Sequence, residues 1–307
     1  MGFHIVNVDA ARCSLSCVNG QLHQKTEDGE RSLPLEDVAA IVVTSFSATI
    51  HSKLLLECAK HGIALVLCEV FKPVSLVLPA NRSTDTLLTR ATVELDAKTR
   101  ARLWQRCVDA KCANQAALAK FAAPADPATR KLADSATGRA VHKEGTCARF
   151  YWQFFGRHVG ESVFTRNHDA GGVNGLLNFG YMVLLCTVLQ KLFAVGLDPT
   201  FGISHATRER ATPLAYDLME PYRPCVDWRI IRWLLSEEGR ARPPTVTTGF
   251  RRWIGGVVAD TVSHDDHDLS VQACIEATTR GFRRAVLAGD ARLFKPWTQR
   301  SSKWAGS

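Results

Sequence analysis

The stretch from Ala170 to Gln190, which lacks charged side chains, places the strongest constraint on the fold. It runs for 21 residues, which is long enough for a helix to span a bilayer. It also contains two asparagines and several glycines, and Lys191 follows immediately. We therefore interpret it as a helix buried in a protein core, and we expect no membrane partner. The rest of the chain must then supply the structure that surrounds this helix.

The sequence around this segment changes character near Pro79. Before it, short strand-like runs dominate, and Asn19-Gly20 predicts a tight hairpin turn between two of them. After it, the strand-like runs disappear. Leu87 to Phe121 predicts one long helix, and helical periodicity continues to about Phe294.

These patterns predict an α+β protein made of two unequal parts. We expect a small N-terminal β domain, a sheet or sandwich-like, in residues 1–80, and a linker in residues 81–90. A larger all-α domain, the catalytic one, is expected in residues 91–307. A chain of 307 residues is ample for a core of this size.

Composition narrows the class of partner and the cellular setting. The chain has 38 Lys and Arg against 30 Asp and Glu, which favours a polyanionic partner, although many basic proteins bind no nucleic acid. The 10 cysteines form neither a Cys-x-x-Cys pair nor a zinc-type spacing with histidine, so we expect buried reduced thiols. The first residues lack the basic leader and apolar core of a signal peptide, which predicts a cytoplasmic protein.

The stretch HATRERATPLAYDLMEPYRP, residues 205–224, raises the first question of chemistry. Asp217 and Glu220 are three apart, so on a helix they share a polar face. The opposite face would carry an apolar stripe of Leu214, Leu218 and Tyr222. Pro221 should end or kink the helix and draw Glu220 out of helical geometry. Glu220 then lies near the negative end of a helix dipole and needs a positive charge, from Arg223 or from a bound ion.

Two further residues could complete a metal site with these acids. Glu144 shares a helical stripe with apolar residues, where burial would require a cation, a hydrogen-bond donor or a metal. Alternatively, Gly145 breaks the helix and leaves Glu144 exposed at its start. His205 carries little weight alone, because a single histidine is more often a surface or core residue than a ligand. Together with the acids, its imidazole would suit Mn²⁺ or Mg²⁺.

Six polar residues are candidates for contact with nucleic acid. Three are arginines of the type that binds phosphate, unless they form ordinary ion pairs with the acids beside them: Arg208, Arg210 and Arg223. Three recur along the uncharged helix: Asn174, Asn178 and Tyr181. The two amides could orient a metal ligand or a substrate phosphate, or they could make hydrogen bonds between helices.

Two other stretches have a suggestive composition. SHDDHD, residues 263–268, is rich in metal-ligating residue types, but no apolar residues are present to orient the ligands. We therefore predict a solvated loop there. The basic tail in residues 280–304, with interleaved aromatics, either follows a nucleic-acid backbone or is a solvated helix with a frayed end.

Several motifs together resemble the CRISPR-associated integrase family, the catalytic subunit of the spacer-acquisition complex. AKCANQAAL, residues 110–118, is similar to the family's K-x-x-N-Q helix, and VNGLLNFGYMVL, residues 173–184, to its N-x-x-x-L-N-x-G-Y helix. GLDPTFGISH and PLAYDLMEPYRPCVD, within residues 196–227, form the most specific portion. The resemblance covers nearly the whole chain except the tail beyond Phe294. The shortness of the chain is similar to the variety found with single-effector (type II) systems.

The resemblance implies a metal-dependent DNA endonuclease and integrase. Its metal ligands for Mg²⁺ or Mn²⁺ would be Glu144, His205 and Glu220, with Asp217 as an accessory catalytic acid. In the implied reaction, a 3′-hydroxyl of a short DNA fragment attacks the phosphodiester at the edge of a CRISPR repeat. Water in place of that hydroxyl would give nuclease activity. The general base stays open between metal-bound water, His205 and Tyr181.

The resemblance also implies the partners. These are double-stranded DNA, as fragment and as CRISPR repeat, and a small second subunit that bridges homodimers of this chain. Other acquisition factors of a type II system could take part. Two rival functions remain open: a non-catalytic DNA-binding scaffold, and a metal-dependent DNase that does not integrate.

Overall fold

The N-terminal part of the chain is built from strands. The structure is a computed structural model that describes residues 4–10, 12–69, 72–77, 86–138, 142–161, 163–205, 212–264, 267–300 and 304. The strands of the N-terminal part are β1 (His4–Val8), β2 (Ser14–Val18), β3 (Gln21–Thr26), β4 (Gly29–Pro34), β5 (Val38–Val43), β6 (Thr49–Ile50), β7 (Ala64–Glu69) and β8 (Lys72–Val77). One helix, α1 (Ser52–His61), lies between β6 and β7.

These strands form two sheets of four strands each. The first has the order β1-β5-β7-β8, with β8 antiparallel to β7 and the other pairs parallel. The second has the order β4-β3-β2-β6. Its β2–β3 hairpin turns at Asn19 (φ 49°) and Gly20 (φ 74°), which confirms the predicted tight turn with left-handed residues.

The first sheet is buried on both of its faces. Ile41 and Leu65 belong to a core that includes the second sheet and α1. Val42 and Val66, the next residues along the same strands, belong to the core of the helical part. Because side chains alternate along a strand, a continuous apolar run such as VAAIVV serves both cores. The strands and helices are therefore packed through one shared sheet.

The helical part begins within the predicted linker. Residues 81–85 lie outside the described residues, and residues 86–90 already belong to α2. The helices are α2 (Thr86–Val93), α3 (Ala97–Ala122), α4 (Pro127–Thr137), α5 (Lys143–His158), α6 (Val173–Ala194), α7 (Pro213–Met219), α8 (Arg223–Leu235), α9 (Glu237–Arg240), α10 (Thr248–Gly255) and α11 (Val271–Ala288). The single helix predicted from Leu87 to Phe121 is thus two helices, because the Asp96 side chain accepts a hydrogen bond from the Thr99 amide and starts α3.

Two short strands make the all-α prediction wrong in detail. β9 (Thr261–His264) pairs with β10 (His267–Ser270), so the flanks of SHDDHD are strands rather than a solvated loop. Val262 is 2% exposed, and its burial fixes β9 against the helices. The α+β class itself, with strands and sheets first and helices after them, agrees with the prediction.

The uncharged helix lies at the centre of the helical part, as predicted. Among the described residues, α6 alone is long and apolar enough to cross a membrane, yet 89% of its apolar window is buried inside the fold. Gly180 allows close packing there, since a Cβ at this position would lie 2.5 Å from Val226 Cγ1 of α8. The neighbouring helices therefore take the place that lipid would take around a membrane span.

Candidate active site

The turn that carries Glu220 joins two helices. α7 ends at Met219, and a 3₁₀ turn over Glu220–Tyr222 leads directly into α8. Pro221 therefore ends the helix as predicted. Glu220 nevertheless keeps helical dihedral angles (φ −52°, ψ −43°), so the predicted departure from helical geometry is wrong. Burial and two ion pairs fix this residue more strongly than the steric preference of a residue before proline.

Asp217 of α7 and Glu220 of the turn are both buried. Asp217 is 0% and Glu220 4% exposed, so the polar face predicted from their spacing packs inside the protein. Arg223 Nη2 lies 2.8 Å from Glu220 Oε1, and Lys111 Nζ lies 2.8 Å from Oε2. Burial alone would raise the pKa of Glu220, but Arg223, Lys111 and His205 outweigh it and lower the pKa to about 2. Glu220 therefore pairs with two cationic side chains of the protein itself.

Glu144 meets the same lysine from another helix. It lies in the first turn of α5, and Lys111 Nζ donates to its Oε1 at 2.8 Å. Its side chain is 40% exposed, and Gly145 does not break the helix. Glu144 is thus neither buried on an apolar stripe nor isolated in solvent. Lys111, on α3, joins Glu144 of α5 to Glu220 of the turn.

Asp217 holds His205 in place. Its Oδ2 accepts hydrogen bonds from the amides of Ile203 (2.7 Å) and Ser204 (3.1 Å), and its Oδ1 accepts one from the His205 amide (3.2 Å). His205 Nδ1 lies 2.6 Å from the same Oδ1. An ionised carboxylate can only accept, so Nδ1 carries the proton and Nε2 is the nitrogen available to an ion.

The loop before His205 is shaped around this carboxylate. A Cβ at Gly202 would lie 2.6 Å from the carbonyl oxygen of His205 and 3.0 Å from Asp217 Oδ2, so the loop requires glycine there. Arg100 Nη1 donates to the Gly202 carbonyl at 3.0 Å, and the Trp104 ring meets the His205 ring edge-on at 6.0 Å between centroids. α3 therefore supports the His205 loop as well as carrying Lys111.

A second polar cluster, at the start of α6, includes the two predicted asparagines. Arg166 donates to Asn174 Oδ1 at 2.9 Å and to Asn178 Oδ1 at 2.5 Å. The Asn174 amide donates to the Thr165 carbonyl, and the Asn178 amide to the His168 carbonyl. The asparagines thus fasten the loop before α6 through Arg166.

Tyr181 and Arg223 connect this cluster with the Glu220 turn. Tyr181 Oη donates to Asp227 Oδ1 at 2.5 Å, and Tyr151 Oη donates to Oδ2 at 2.6 Å. The Arg223 guanidinium lies 4.6 Å from the centroid of the Tyr181 ring. Burial and the charge of Asp227 raise the pKa of Tyr181 well above its ordinary value, so the phenol stays protonated.

Asp227 makes stability depend on pH. Burial raises its pKa to about 6, from an ordinary 3.8, against the opposing effect of the tyrosine hydroxyls and arginines. Between these two values the folded protein binds a proton that the unfolded chain has released, so stability falls as pH rises from about 4 to 6. The unfolding free energy of the wild type should fall by an amount on the order of 3 kcal/mol across this pH range, and Asp227→Asn should not show this fall. Urea unfolding at several pH values would measure both proteins. Parallel curves for the variant and the wild type would contradict this assignment.

Two predicted residues have no described position, and three residues that the structure places in these contacts had no role in the sequence predictions. Arg208 and Arg210 lie outside the described residues. Lys111 and Asp227 stand inside the quoted motifs but were given no role, and Arg166 precedes its motif by 7 residues. The signal that could have found Lys111 is a lysine among apolar neighbours, which predicts a buried acidic partner. All 10 cysteines are free and buried, as expected.

The residues fit a divalent cation by their chemistry and charge. In the part of the chain that the structure describes, no three His, Cys, Asp or Glu side chains converge closely enough to bind one ion. Instead, the Lys111 ammonium occupies the place of a cation between the two glutamates. Glu220 Oε2 is buried and accepts no hydrogen bond of good geometry, despite Nζ at 2.8 Å. Two carboxylates and an imidazole are a donor set that suits Mg²⁺ or Mn²⁺.

Comparison with known proteins decides the family. The profile of the family described as "CRISPR associated protein Cas1" matches residues 6–242. The chain belongs to the Cas1 family. This confirms the resemblance at the level of the family, and the four candidate site residues lie within the matched range.

One Cas1 relative and two solved structures match most or all of the chain. The CRISPR-associated endonuclease Cas1 of Neisseria meningitidis serogroup C (strain 8013) is 30% identical over 287 residues, which are 92% of this chain and 91% of the relative. A casposase bound to its integration product has a TM-score of 0.79 at 20% identity, covering 100% of this chain and 96% of that one. A chain of a Cas6-RT-Cas1–Cas2 complex has a TM-score of 0.76 at 17% identity, covering 97% of this chain and 36% of that one. The two structures show that the fold is shared.

Proposed function

We propose that this Cas1 protein is a metal-dependent DNA endonuclease and integrase. It inserts short DNA fragments into a CRISPR array by attack of a 3′-hydroxyl on the repeat phosphodiester. One observation carries the proposal: Lys111 places a positive charge between Glu144 and Glu220, and the histidine that Asp217 orients acts electrostatically on Glu220. The two glutamates thus bind a cationic group in this structure. The chain also belongs to a family that includes a relative named as an endonuclease.

Each residue has a distinct role in this proposal. Glu144, His205 and Glu220 bind the ion, and Asp217 fixes the orientation and tautomer of His205. A bound Mg²⁺ or Mn²⁺ would polarise the scissile phosphate and stabilise the departing 3′-oxygen. Arg223 supplies a fixed positive charge next to the site, and Arg208 and Arg210 are proposed to contact the DNA backbone.

The hydrogen bonds narrow the choice of general base. The Tyr181 proton is donated to Asp227, and its pKa lies well above the ordinary value. His205 Nδ1 donates to Asp217, and its Nε2 is the nitrogen that this proposal assigns to the ion. We therefore assign Tyr181, Asn174 and Asn178 to positioning of the site.

The partners follow from the same proposal. They are double-stranded DNA, a second copy of this chain, and a small bridging subunit of the kind named in the Cas1–Cas2 complex. The exposed edge strands of the N-terminal sheets offer a dimer surface. We propose that the protein acts in the cytoplasm. It would act there with a single-effector (type II) system and the other acquisition factors of that system.

Strand rejoining on a branched DNA tests the proposal. The branch mimics a half-integrated fragment, so the reaction bypasses much of the need for a partner. We expect the wild type with Mn²⁺ or Mg²⁺ to release the branch and join the strands. Chelator, Glu144→Ala and His205→Ala should each abolish the product, measured on denaturing gels.

The same assay separates the rival functions. Cleavage without joined product would identify a DNase that does not integrate. Tight DNA binding with no reaction, unchanged in the variants, would identify a scaffold. DNA binding itself should weaken steeply with salt, because basic side chains release counterions from phosphates.

Replacement of Lys111 tests whether its ammonium competes with the metal. We expect Lys111→Met to lower the unfolding free energy in chelator by about 3 kcal/mol, because two carboxylates lose a shared partner. The same change should tighten Mn²⁺ binding roughly 10-fold, since the ion no longer displaces a charge. Calorimetric titration and urea unfolding would measure both effects.

Lys143→Met is the matched control for this experiment. Lys143 Nζ lies 2.7 Å from Asp109, so it also links α5 to α3, but it forms no described ion pair with either site glutamate. It should lose stability without a gain in Mn²⁺ affinity. Weaker Mn²⁺ binding by Lys111→Met would instead mean that the lysine supports the bound ion.

A further inference from the structure

The segment Phe294–Arg300, called here the C-terminal segment, lies beyond the family match at residues 6–242 and packs against the turn that carries Glu220. Trp297 is 0% exposed, and its ring stacks on Tyr222 at 5.4 Å between centroids with 13° between planes. Its Nε1 donates to the Ser263 carbonyl of β9 at 2.9 Å. A buried, stacked tryptophan is not part of a frayed end, so that alternative is wrong for this segment.

Asn114 ties the C-terminal segment to the turn by hydrogen bonds. Its Nδ2 donates to the Pro221 carbonyl at 2.8 Å and to the Trp297 carbonyl at 3.1 Å. Its Oδ1 accepts from the Gln299 amide at 2.7 Å. Asn114 is 0% exposed and lies one turn after Lys111 on α3. Helix α3 therefore holds the turn in two ways: Lys111 contacts Glu220, and Asn114 joins Pro221 to the C-terminal segment.

The position of Glu220 depends on these contacts for a physical reason. The residues 220–222 form a single 3₁₀ turn between two helices, and its proline has no amide hydrogen to donate. Such a turn has few hydrogen bonds of its own, so contacts from outside must select its conformation. Glu220, Pro221 and Tyr222 are consecutive, and the last two are contacted by Asn114 and Trp297.

We propose that Asn114 and Trp297 are positioning residues that hold the Glu220 carboxylate in its place for a divalent cation. The C-terminal segment thus becomes a structural component of the site, although it lies far from the site in sequence. The metal-binding half of this proposal rests on the proposed function. The support of the turn itself rests only on the contacts described above.

Two measurements test the proposal on the full-length protein. The first is hydrogen exchange of the Glu220, Tyr222 and Arg223 amides, and the second is Mn²⁺ affinity from the electron paramagnetic resonance signal of the free ion. We expect Trp297→Ala and Asn114→Ala each to raise exchange at the turn about 10-fold or more. Both should weaken Mn²⁺ binding roughly 10-fold, the size seen when residues that orient metal ligands are removed. Trp297→Phe keeps a ring over Tyr222 and should recover most of both effects.

Phe294→Ala is the matched control, because it removes a large side chain from the same segment. Phe294 is 0% exposed but packs on Phe282 of α11, with 5.4 Å between ring centroids. It should lower the melting temperature without changing exchange at the turn or Mn²⁺ affinity. If Trp297→Ala matches Phe294→Ala in both measurements, the proposal is overturned.

The two parts of the proposal can fail separately. A wild type that binds no Mn²⁺ would defeat the proposed function and the metal-positioning role. The exchange data would still decide whether the C-terminal segment supports the turn. Raised exchange with unchanged Mn²⁺ affinity would overturn the positioning role and leave a purely structural one.

Discussion

We expect Glu220→Gln to reduce metal-dependent strand joining by roughly 1000-fold. The amide keeps the shape of the side chain but cannot supply an anionic oxygen to a divalent ion. A loss of about 4 kcal/mol of transition-state stabilisation corresponds to this factor. Single-turnover assays on the branched DNA, at Mn²⁺ concentrations raised until the rate is constant, would measure it.

The same change should also cost stability, because Glu220 neutralises two buried cations. Without its charge, Arg223 loses the carboxylate that it pairs with and Lys111 keeps only Glu144 among its described partners, so we expect a loss of about 3 kcal/mol in unfolding free energy. Glu276→Gln is a matched control, since Glu276 pairs with Lys191 and Arg280 away from the site. It should lose stability but keep its activity. Equal activity losses in both variants would indicate a folding defect rather than a lost ligand.

The second large effect is expected for Asp217→Asn, with activity falling about 100-fold. The carboxylate accepts three backbone amides and the imidazole, and an amide group turns one acceptor into a donor facing them. The loop before His205 should then loosen, and the imidazole should lose its fixed tautomer. The Mn²⁺ concentration that gives half of the maximal joining rate should be higher for Asp217→Asn than for the wild type.

Asp198→Asn provides the control within the same loop. Asp198 Oδ1 accepts from the Thr200 amide at 2.9 Å and from its hydroxyl at 2.6 Å, and no described contact joins it to His205. It should alter loop stability and leave the Mn²⁺ requirement unchanged. A normal Mn²⁺ requirement in Asp217→Asn would show that His205 is oriented by other groups.

Local signals in the sequence predicted the elements of the fold well. Asn19-Gly20 specifies its hairpin through backbone conformation, and the uncharged helix specifies its burial through composition, so both could be read directly. The break at Asp96 was missed because an N-cap inside a helical pattern looks like a polar helix position. The pairing of β9 with β10 was missed because the stretch is polar, and Val262 is the single buried residue of the two strands.

The residues of the candidate site were named from the sequence and stay a prediction, whereas most of their contacts could not be named from it. Motif resemblance named Glu144, His205, Asp217 and Glu220, and their types set the chemistry of an ion site. Arg223 was among the partners expected for Glu220, and the two side chains do pair. The second partner, Lys111, could not be read from nearby sequence, because it lies 109 positions before Glu220, as the two residue numbers show. Pairings between distant segments depend on packing, which periodicity does not encode.

The sheet that is buried on both faces decides how the molecule loses its structure. Parting the strands from the helices would expose Val42 and Val66 to water together with the face of α6 that covers them. At roughly 25 cal/mol per Å² of apolar surface, neither half would survive the separation intact. We therefore expect the first sheet and the helices that cover it to unfold together, so that damage to an outer strand shortens the lifetime of the distant Glu220 turn.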